Sequence, residues 1–178
     1  MKKFVIDVRK WPTSKRLFFL LISFLLTVFV TSVDQWSKQA IVEYFDRNSQ
    51  FAGICLTSWF NICIVYNRGV SFGLFHSLPF DSSAIFAFFA VAIAFALFVW
   101  VVRSRRLMVS VSVGFIAGGA IGNAFDRIRI GSVIDFIDWH IFDYHWPSFN
   151  IADTFICIGT AIIIFYTFLN SECRSKTI

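Results

Sequence analysis

Four long apolar segments constrain the fold of this chain more than any other feature of its sequence. They cover residues 17–33, 84–102, 107–125 and 151–169. As helices, segments of this length would each be roughly 26 to 29 Å long, close to the hydrocarbon thickness of a bilayer. With 57% hydrophobic and only 15% charged residues, the chain is also too apolar for an ordinary soluble surface. The sequence therefore predicts an all-α membrane protein of four transmembrane helices, forming a single domain over residues 1–178.

The first apolar segment is predicted to be a retained helix rather than a cleaved secretory signal. No small-residue cleavage site follows it, and residues 34–38 include charged side chains.

Basic residues lie mainly on one side of the four segments. Of the 16 Lys and Arg residues, eleven precede the first segment, fill the loop between the second and third, or follow the fourth. Only two of the 11 acidic residues, Asp7 and Glu172, lie on that side. The positive-inside rule therefore predicts that both termini are cytoplasmic. No basic stripe is present, which argues against a nucleic-acid partner.

Two connecting segments, residues 34–83 and 126–150, are then predicted to face outward. The first contains a strand-like run at 59–66, a turn candidate at 67–69 and a second apolar stretch at 70–75. This pattern predicts a small β-sheet in the first extracytoplasmic loop. The second segment is interpreted as a short acidic loop that joins the outer ends of the third and fourth helices.

The third apolar segment carries Gly114, Gly118 and Gly122 at intervals of four residues. Such spacing lets another helix backbone approach closely, and helix packing is the preferred interpretation. Asp126 follows near the same face. Because Arg127 and Arg129 are adjacent cations, Asp126 is interpreted as an ionised and paired structural brace.

Two further aspartates are better candidates for chemistry. Asp135 has the apolar neighbours Val133, Ile134, Phe136 and Ile137, so desolvation is expected to raise its pKa. Asp153 is predicted to be the third residue of the fourth helix. With Asn150 as the N-cap, the helix macrodipole there favours an anion. Taken alone, Asp153 is explained equally well as a capping carboxylate.

The second outer loop must bring the ends of the third and fourth helices together, so Asp135 and Asp153 are expected to meet. One carboxyl biased toward the neutral form and one biased toward the ionised form are what aspartic proteolysis requires. The hypothesis assigns Asp153 as the base and Asp135 as the acid.

Other catalytic or metal arrangements are less well supported. His140, Asp143 and His145 could be imagined around a metal ion, but the HExxH motif is absent, and the three histidines, which include His76, are interpreted as interfacial loop residues. The cysteines at positions 55, 63, 157 and 173 show no CxxC pairing and are interpreted as incidental. No metal ligand and no cofactor is predicted.

Four motifs occur in order between about Val33 and Gly159. They read DQWSK at 34–38, NRGVSFG at 67–73, GGAIGNAFDR at 118–127 continued by VIDF at 133–136, and FNIAD at 149–153. In these motifs the chain resembles the bacterial lipoprotein signal peptidases, or signal peptidase II. The resemblance implies a multi-pass aspartic endopeptidase of the bacterial inner membrane, with its active site on the extracytoplasmic side. Such an enzyme cleaves the signal peptide of a prolipoprotein just before a cysteine that carries a diacylglyceryl group. Its expected partners are prolipoproteins and membrane lipids, and it is expected to be monomeric.

By this resemblance the catalytic pair falls on Asp135 and Asp153. Asp126 is the rival for the first of these places, and the charge argument prefers Asp135. The residues that would bind substrate or support the site are Asp34, Lys38, Asn67, Gly69, Asn123, Asp126, Arg127, Asn150 and Ala152. For Asp34 and Lys38, ordinary hydrogen bonding between helices is an equally good interpretation.

Two non-enzymatic alternatives stay open at this point. A small channel or transporter would also use intramembrane carboxylates and glycine-faced helices, although no internal repeat is visible. A structural membrane subunit would bind a partner through its outer loops.

Overall fold

The computed structural model describes residues 13–48, 53–69, 83–104 and 106–175. Its helices are α1 (Thr13–Arg47), α2 (Ser83–Ser104), α3 (Leu107–Ile130) and α4 (Ile151–Ser175). Its strands are β1 (Ile54–Thr57), β2 (Phe60–Asn67), β3 (Val133–Ile141) and β4 (Tyr144–His145). All four helices are long and apolar enough to cross a membrane, as the apolar segments predict.

Helix α3 lies at the centre of the bundle and packs against α1, α2 and α4. A methyl group added at Gly114 would lie 2.6 Å from Cβ of Leu26, and one added at Gly118 would lie 2.6 Å from Cβ of Val30. These glycines therefore let α1 approach the α3 backbone closely, which confirms the helix-packing interpretation.

Hydrogen bonds along the same interface fix the register of α1 against α3. Four side chains of α1, spaced four residues apart, donate to four carbonyl oxygens of α3: Ser23 to Ser110, Thr27 to Gly114, Thr31 to Gly118 and Gln35 to Gly122. In each of these four pairs the donor and the acceptor are 87 positions apart in the sequence. The constant offset means that the two helices run parallel.

The outer faces of the helices are apolar and exposed. Large side chains such as Phe88, Phe95 and Phe165 project away from the bundle, as expected for residues that face lipid. The interior instead contains small residues and a compact valine core formed by Val101, Val109 and Val113.

Helix α1 continues well past the predicted end of the first span at residue 33, so the prediction that residues 34–47 belong to a loop is wrong. The charged residues that suggested an exit from the membrane are Asp34 and Lys38, which pair within the helix at 2.8 Å. Their pairing removes the need to leave the helix for solvent. Helix α3 also runs five residues beyond its predicted end, to Ile130, where Gly131 in the left-handed conformation (φ 72°) ends it.

The sheet is larger than predicted, with four antiparallel strands in the order β1-β2-β3-β4. Strand β2 confirms the predicted strand-like run, but β3 and β4 come from the segment interpreted as an acidic loop. β3 is rich in β-branched and aromatic residues, a composition typical of strands. Its apolar residues lie on both faces, so it lacks the alternation that would have revealed it. We call the end of the bundle that carries this sheet the sheet end.

Some sequence predictions lie outside the described residues. These include the apolar stretch at 70–75, His76 and the basic residues before position 13.

Candidate active site

The chain returns along β3 before it enters α4. Phe149 forms an antiparallel bridge with Ile137, donating through its backbone N–H at 3.1 Å and accepting at its carbonyl oxygen at 2.9 Å. The next residue, Asn150, therefore lies beside Asp135 on β3. This short pairing brings the carboxylates of the second loop and the fourth helix together.

Asn150 caps α4 as predicted. Its side-chain oxygen accepts the backbone N–H of Asp153 at 3.0 Å, and the Asp153 carboxylate accepts the backbone N–H of Asn150 at 3.2 Å. This reciprocal arrangement is a capping box with Asp in place of Glu. Asp153 is thus held at the first turn of α4 by local backbone geometry.

The side-chain nitrogen of Asn150 points the other way, toward Asp135. It donates to Oδ1 of Asp135 at 2.7 Å and also contacts the carbonyl of Ile134 at 3.2 Å. One buried residue, Asn150, therefore binds both carboxylates, through its side chain to Asp135 and through its backbone to Asp153. The expectation that these two residues meet is confirmed.

Asp135 is buried, with 3% of its surface exposed, and its hydrogen-bond partners are amides. Its second oxygen accepts a hydrogen bond from Nδ2 of Asn67 at 3.1 Å. Burial, followed by the negative charge of Asp153, raises the pKa of Asp135 to about 7, although the bonds from Asn67 and Asn150 oppose the shift. The predicted direction is confirmed, and the neighbouring carboxylate adds to the desolvation that the sequence indicated.

Asp153 is only partly buried. One of its oxygens accepts a hydrogen bond from Nδ2 of Asn123 at 2.9 Å. The residue also lines a cavity of about 930 Å³ whose other walls are mainly aromatic: Trp59, Trp139, Tyr144, Trp146 and Phe149. Asp153 therefore lies at the wall of this cavity.

A second buried polar group, the lysine cluster of Lys38, Asp34 and Asp126, lies next to this pair. The Lys38 ammonium is 2.8 Å from Asp34 Oδ2 and 2.7 Å from Asp126 Oδ2. It donates a third hydrogen bond to Oδ1 of Asn123 at 2.9 Å. The predicted ion pairing of Asp126 with Arg127 and Arg129 is wrong, because the cation on its carboxylate is Lys38 from another helix.

Lys38 also determines how Asn123 is oriented. Because Oδ1 of Asn123 accepts from the ammonium, its Nδ2 must face away and donate to Asp153. In the same way, Oδ1 of Asn150 is occupied by the helix cap, so its Nδ2 must donate to Asp135. Both carboxylates thus receive N–H donors whose orientation is fixed by groups behind them.

The remaining predicted support residues connect separate parts of the site. Arg127 donates to the carbonyl of Gly69 at 3.0 Å, and the N–H of Gly69 donates to Oδ1 of Asn67 at 3.0 Å. The turn that carries Asn67 is therefore anchored to α3. The buried N–H of Ala152 donates to Oδ1 of Asp34 at 3.0 Å, which ties α4 to α1.

Gln35 belongs to the same network and was not predicted from the sequence. Its Nε2 donates to Asp126 Oδ1 at 2.8 Å and to the carbonyl of Gly122 at 3.2 Å. Its place beside Asp34 in the first motif was the available signal. The histidines were also grouped incompletely: His140 and His145 lie with Asp138 rather than with Asp143.

Comparisons with known proteins identify the family of this chain. Residues 26–169 match the family model described as Signal peptidase (SPase) II. A lipoprotein signal peptidase of Alteromonas mediterranea is 37% identical over 146 residues, covering 81% of this chain and 79% of the relative. One of Yersinia enterocolitica is 38% identical over 147 residues, covering 82% and 85%.

Solved structures show the same architecture. A bacterial membrane enzyme solved by the in meso method at 2.3 Å resolution superposes with a TM-score of 0.69 and 29% identity, over 84% of this chain and 88% of that one. A second such structure, at 1.9 Å resolution, gives a TM-score of 0.66 and 30% identity, over 82% and 91%.

Proposed function

Because this chain belongs to the signal peptidase II family of aspartic peptidases, we propose that Asp135 and Asp153 are its catalytic pair. The protein is a lipoprotein signal peptidase, which cleaves the signal peptides of prolipoproteins. This family membership favours the peptidase over the channel, transporter and structural-subunit alternatives.

The observation that carries the assignment is the shared partner Asn150, which binds Asp135 at 2.7 Å through its side chain and Asp153 at 3.2 Å through its backbone. Asp126 is the weaker candidate because its carboxylate is committed to Lys38 at 2.7 Å. A carboxylate in a buried ion pair is poorly suited to exchange protons with a substrate.

In the proposed reaction Asp153, which lines the cavity, takes a proton from a water molecule. The water oxygen then attacks the scissile carbonyl carbon. Asp135 holds its proton near neutral pH, because burial and the Asp153 charge raise its pKa to about 7. It donates that proton to the tetrahedral intermediate. Collapse of the intermediate breaks the C–N bond. The leaving amine takes the proton that Asp153 had accepted, and a hydroxyl proton of the intermediate returns to Asp135, which restores both carboxyl groups.

The same proposal includes the orientation of the enzyme and the lipid on its substrate. The distribution of basic residues supports cytoplasmic termini, which would put the sheet end and the catalytic pair on the extracytoplasmic side of the inner membrane. The aromatic cavity beside Asp153 would accept the acyl chains of a diacylglyceryl cysteine at the cleavage site. The exposed apolar faces of α2 and α4 support contact with lipid around a monomer.

The test is processing of a diacylglyceryl-modified prolipoprotein by purified Asp135→Asn and Asp153→Asn enzymes. Each substitution removes one proton-transfer group and should lower kcat by at least about 10²- to 10⁴-fold. Asp143→Asn is the matched control, since Asp143 is exposed at the tip of the β3-β4 hairpin and should leave kcat unchanged. Normal cleavage by either Asp135→Asn or Asp153→Asn would overturn the assignment.

A further inference from the structure

A cluster of metal-binding side chains lies on the β3-β4 hairpin, apart from the hydrogen-bond network of the catalytic pair. We call Asp138, His140 and His145 the hairpin cluster. One ligand atom from each lies within 4.8 Å of the others. Strand register explains their proximity: His140 and His145 are cross-strand partners, and Asp138 precedes His140 by two residues and so shares its face of the sheet.

The contacts within the hairpin cluster are close. Nδ1 of His145 lies 2.8 and 3.0 Å from the two Asp138 oxygens, and the two imidazole rings stack with centroids 4.8 Å apart. Asp138 is buried, whereas His145 is 52% exposed and free to adjust its rotamer. A carboxylate and two imidazoles on one face form the ligand set of many three-residue metal sites.

The neighbouring Asn61 supports the hairpin cluster through its side-chain nitrogen. Its Nδ2 donates to Asp138 at 3.0 Å and lies 3.5 Å from Nδ1 of His140. Its Oδ1 is buried and accepts no hydrogen bond from any group that the structure describes. Since Nδ2 is the atom that faces the hairpin cluster, Asn61 supports this site through its hydrogen bond to Asp138, as outer-shell partners of metal ligands do.

We propose that the hairpin cluster binds a zinc ion, with water as the fourth ligand. Zinc bound at about 2.0 to 2.2 Å by tetrahedral ligands places neighbouring ligand atoms roughly 3.3 to 3.5 Å apart. The hydrogen bond between His145 and Asp138 therefore has to open only slightly, and the His140 nitrogen has to move inward. Two nitrogens and one oxygen suit zinc better than the oxygen-preferring Mg²⁺ or Ca²⁺.

Bound zinc would also stiffen one wall of the cavity. His140 lines the cavity that Asp153 reaches, together with Tyr144 and Trp146 of the same hairpin and the segment after it. Zinc would join β3 to β4 across this short hairpin. The zinc site does not depend on the assignment of the catalytic pair.

The direct test is isothermal titration of ZnCl₂ into the full chain in detergent, with its affinity tag removed and after treatment with a chelator. One zinc per chain should bind with a dissociation constant of about 1 μM or lower. His145→Ala removes an exposed ligand and should weaken binding by about 100-fold or more, and Asn61→Ala by about tenfold. Asp143→Asn, two residues from His145, is the matched control and should bind zinc as the wild type does.

A second readout separates ligation from loss of structure. Zinc should raise the Tm of the wild type and of Asp143→Asn but not of His145→Ala. Each rise is measured against the same variant without zinc, because His145→Ala also loses the hydrogen bond to Asp138. Cobalt substitution should give the intense visible absorption of a tetrahedral site, and His140→Ala should abolish it. Wild-type binding weaker than about 1 mM, or equal binding by His145→Ala, would refute the site.

Discussion

The lysine cluster and the pair of Asp135 and Asp153 are both buried acidic groups at the sheet end, and both use aspartate. They differ in the charge of the side chains that bind the carboxylates. In the lysine cluster, Asp34 and Asp126 share the ammonium of Lys38 at 2.8 and 2.7 Å. In the catalytic pair, Asp135 receives only amide donors and faces the charge of Asp153. Lys38 makes the lysine cluster a structural connection between helices. Among the described residues no cationic side chain hydrogen-bonds to Asp135, which supports its proposed role in proton transfer.

The two groups are nevertheless connected. Oδ1 of Asn123 accepts from Lys38, and its Nδ2 donates to Asp153. The lysine cluster therefore orients a donor toward Asp153, and in the proposed mechanism it takes no part in proton transfer. This division predicts that changes to the first group act mainly on stability, whereas changes to the second act mainly on catalysis.

The largest expected effect follows from removing the shared cation. Lys38→Met leaves Asp34 and Asp126 buried without a counter-charge, and breaking such a buried pair costs about 3 to 5 kcal/mol of unfolding free energy. Thermal or denaturant unfolding in detergent measures this loss. Arg129→Met is the control, because Arg129 is exposed and its loss should change stability by about 0.5 kcal/mol or less. Equal stability of the two variants would remove the structural role of the cluster.

Catalysis should depend on pH through Asp135. Because its pKa is raised to about 7 and the mechanism needs its proton, kcat should fall about tenfold per pH unit above pH 7. A profile of single-turnover processing from pH 5 to 9 measures this decline, with Asp143→Asn as the control that keeps it. A rate that stays level to pH 9 would show that Asp135 is not the acid.

Crowding the lysine cluster without altering its charge gives a smaller effect. A methyl group at Gly122 would lie 2.6 Å from Oδ2 of Asp34, so Gly122→Ala should displace that carboxylate and cost about 1 to 3 kcal/mol. Gly131→Ala is the comparison, since nothing lies within 4 Å of its added methyl and its cost comes from the positive φ of 72° alone. If Gly122→Ala lowers the Tm without affecting kcat at a permissive temperature, the separation of roles becomes sharper.

The smallest stability effect is expected in the catalytic pair. Asp135→Asn replaces a buried acid with a neutral isostere and should change unfolding free energy by less than about 1 kcal/mol at pH 5. The pKa of Asp135 is raised from 3.8 to about 7 in the folded state, so the folded protein binds this proton more tightly than the unfolded chain. The resulting stabilisation of the wild type is complete below pH 4 and is lost as the pH rises through 7. The Tm of Asp135→Asn should therefore improve relative to the wild type between pH 5 and pH 8. A constant difference would contradict the raised pKa.

The sequence predicted the parts of this molecule that depend on local pattern. Long apolar segments identify the helices, and the signal at Asn150 and Asp153 identifies a cap, because both depend on neighbouring residues. The resemblance located the site residues by motif. Their catalytic and supporting roles stay a proposal, although the hydrogen bonds and ion pairs described above join all of them.

The predictions that failed depend on contacts between distant residues. Asp126 was predicted to pair with Arg127 and Arg129, which are next to it in the sequence. Its side chain on α3 instead faces α1 and pairs with Lys38. The end of α1 was misplaced because Lys38 pairs with Asp34 of its own helix and also with Asp126 of α3, and the second contact joins residues that are distant in the sequence. Strands β3 and β4 were missed because contacts between separate segments stabilise this region. These contacts are the pairing of β3 with β2 and the bridge between Ile137 and Phe149, and the sequence of one segment alone does not predict them.

The central claim is that Asp135 and Asp153 are coupled and that Asp135 holds its proton near neutral pH. Infrared difference spectroscopy between wild type and Asp135→Asn isolates the carboxyl band of Asp135 and follows it from pH 4 to 9. The account predicts a protonated band that titrates with a midpoint of about 7 and a lower midpoint in an Asp153→Asn background, where the neighbouring charge is gone. A midpoint near 3.8 that Asp153→Asn leaves unchanged would contradict it.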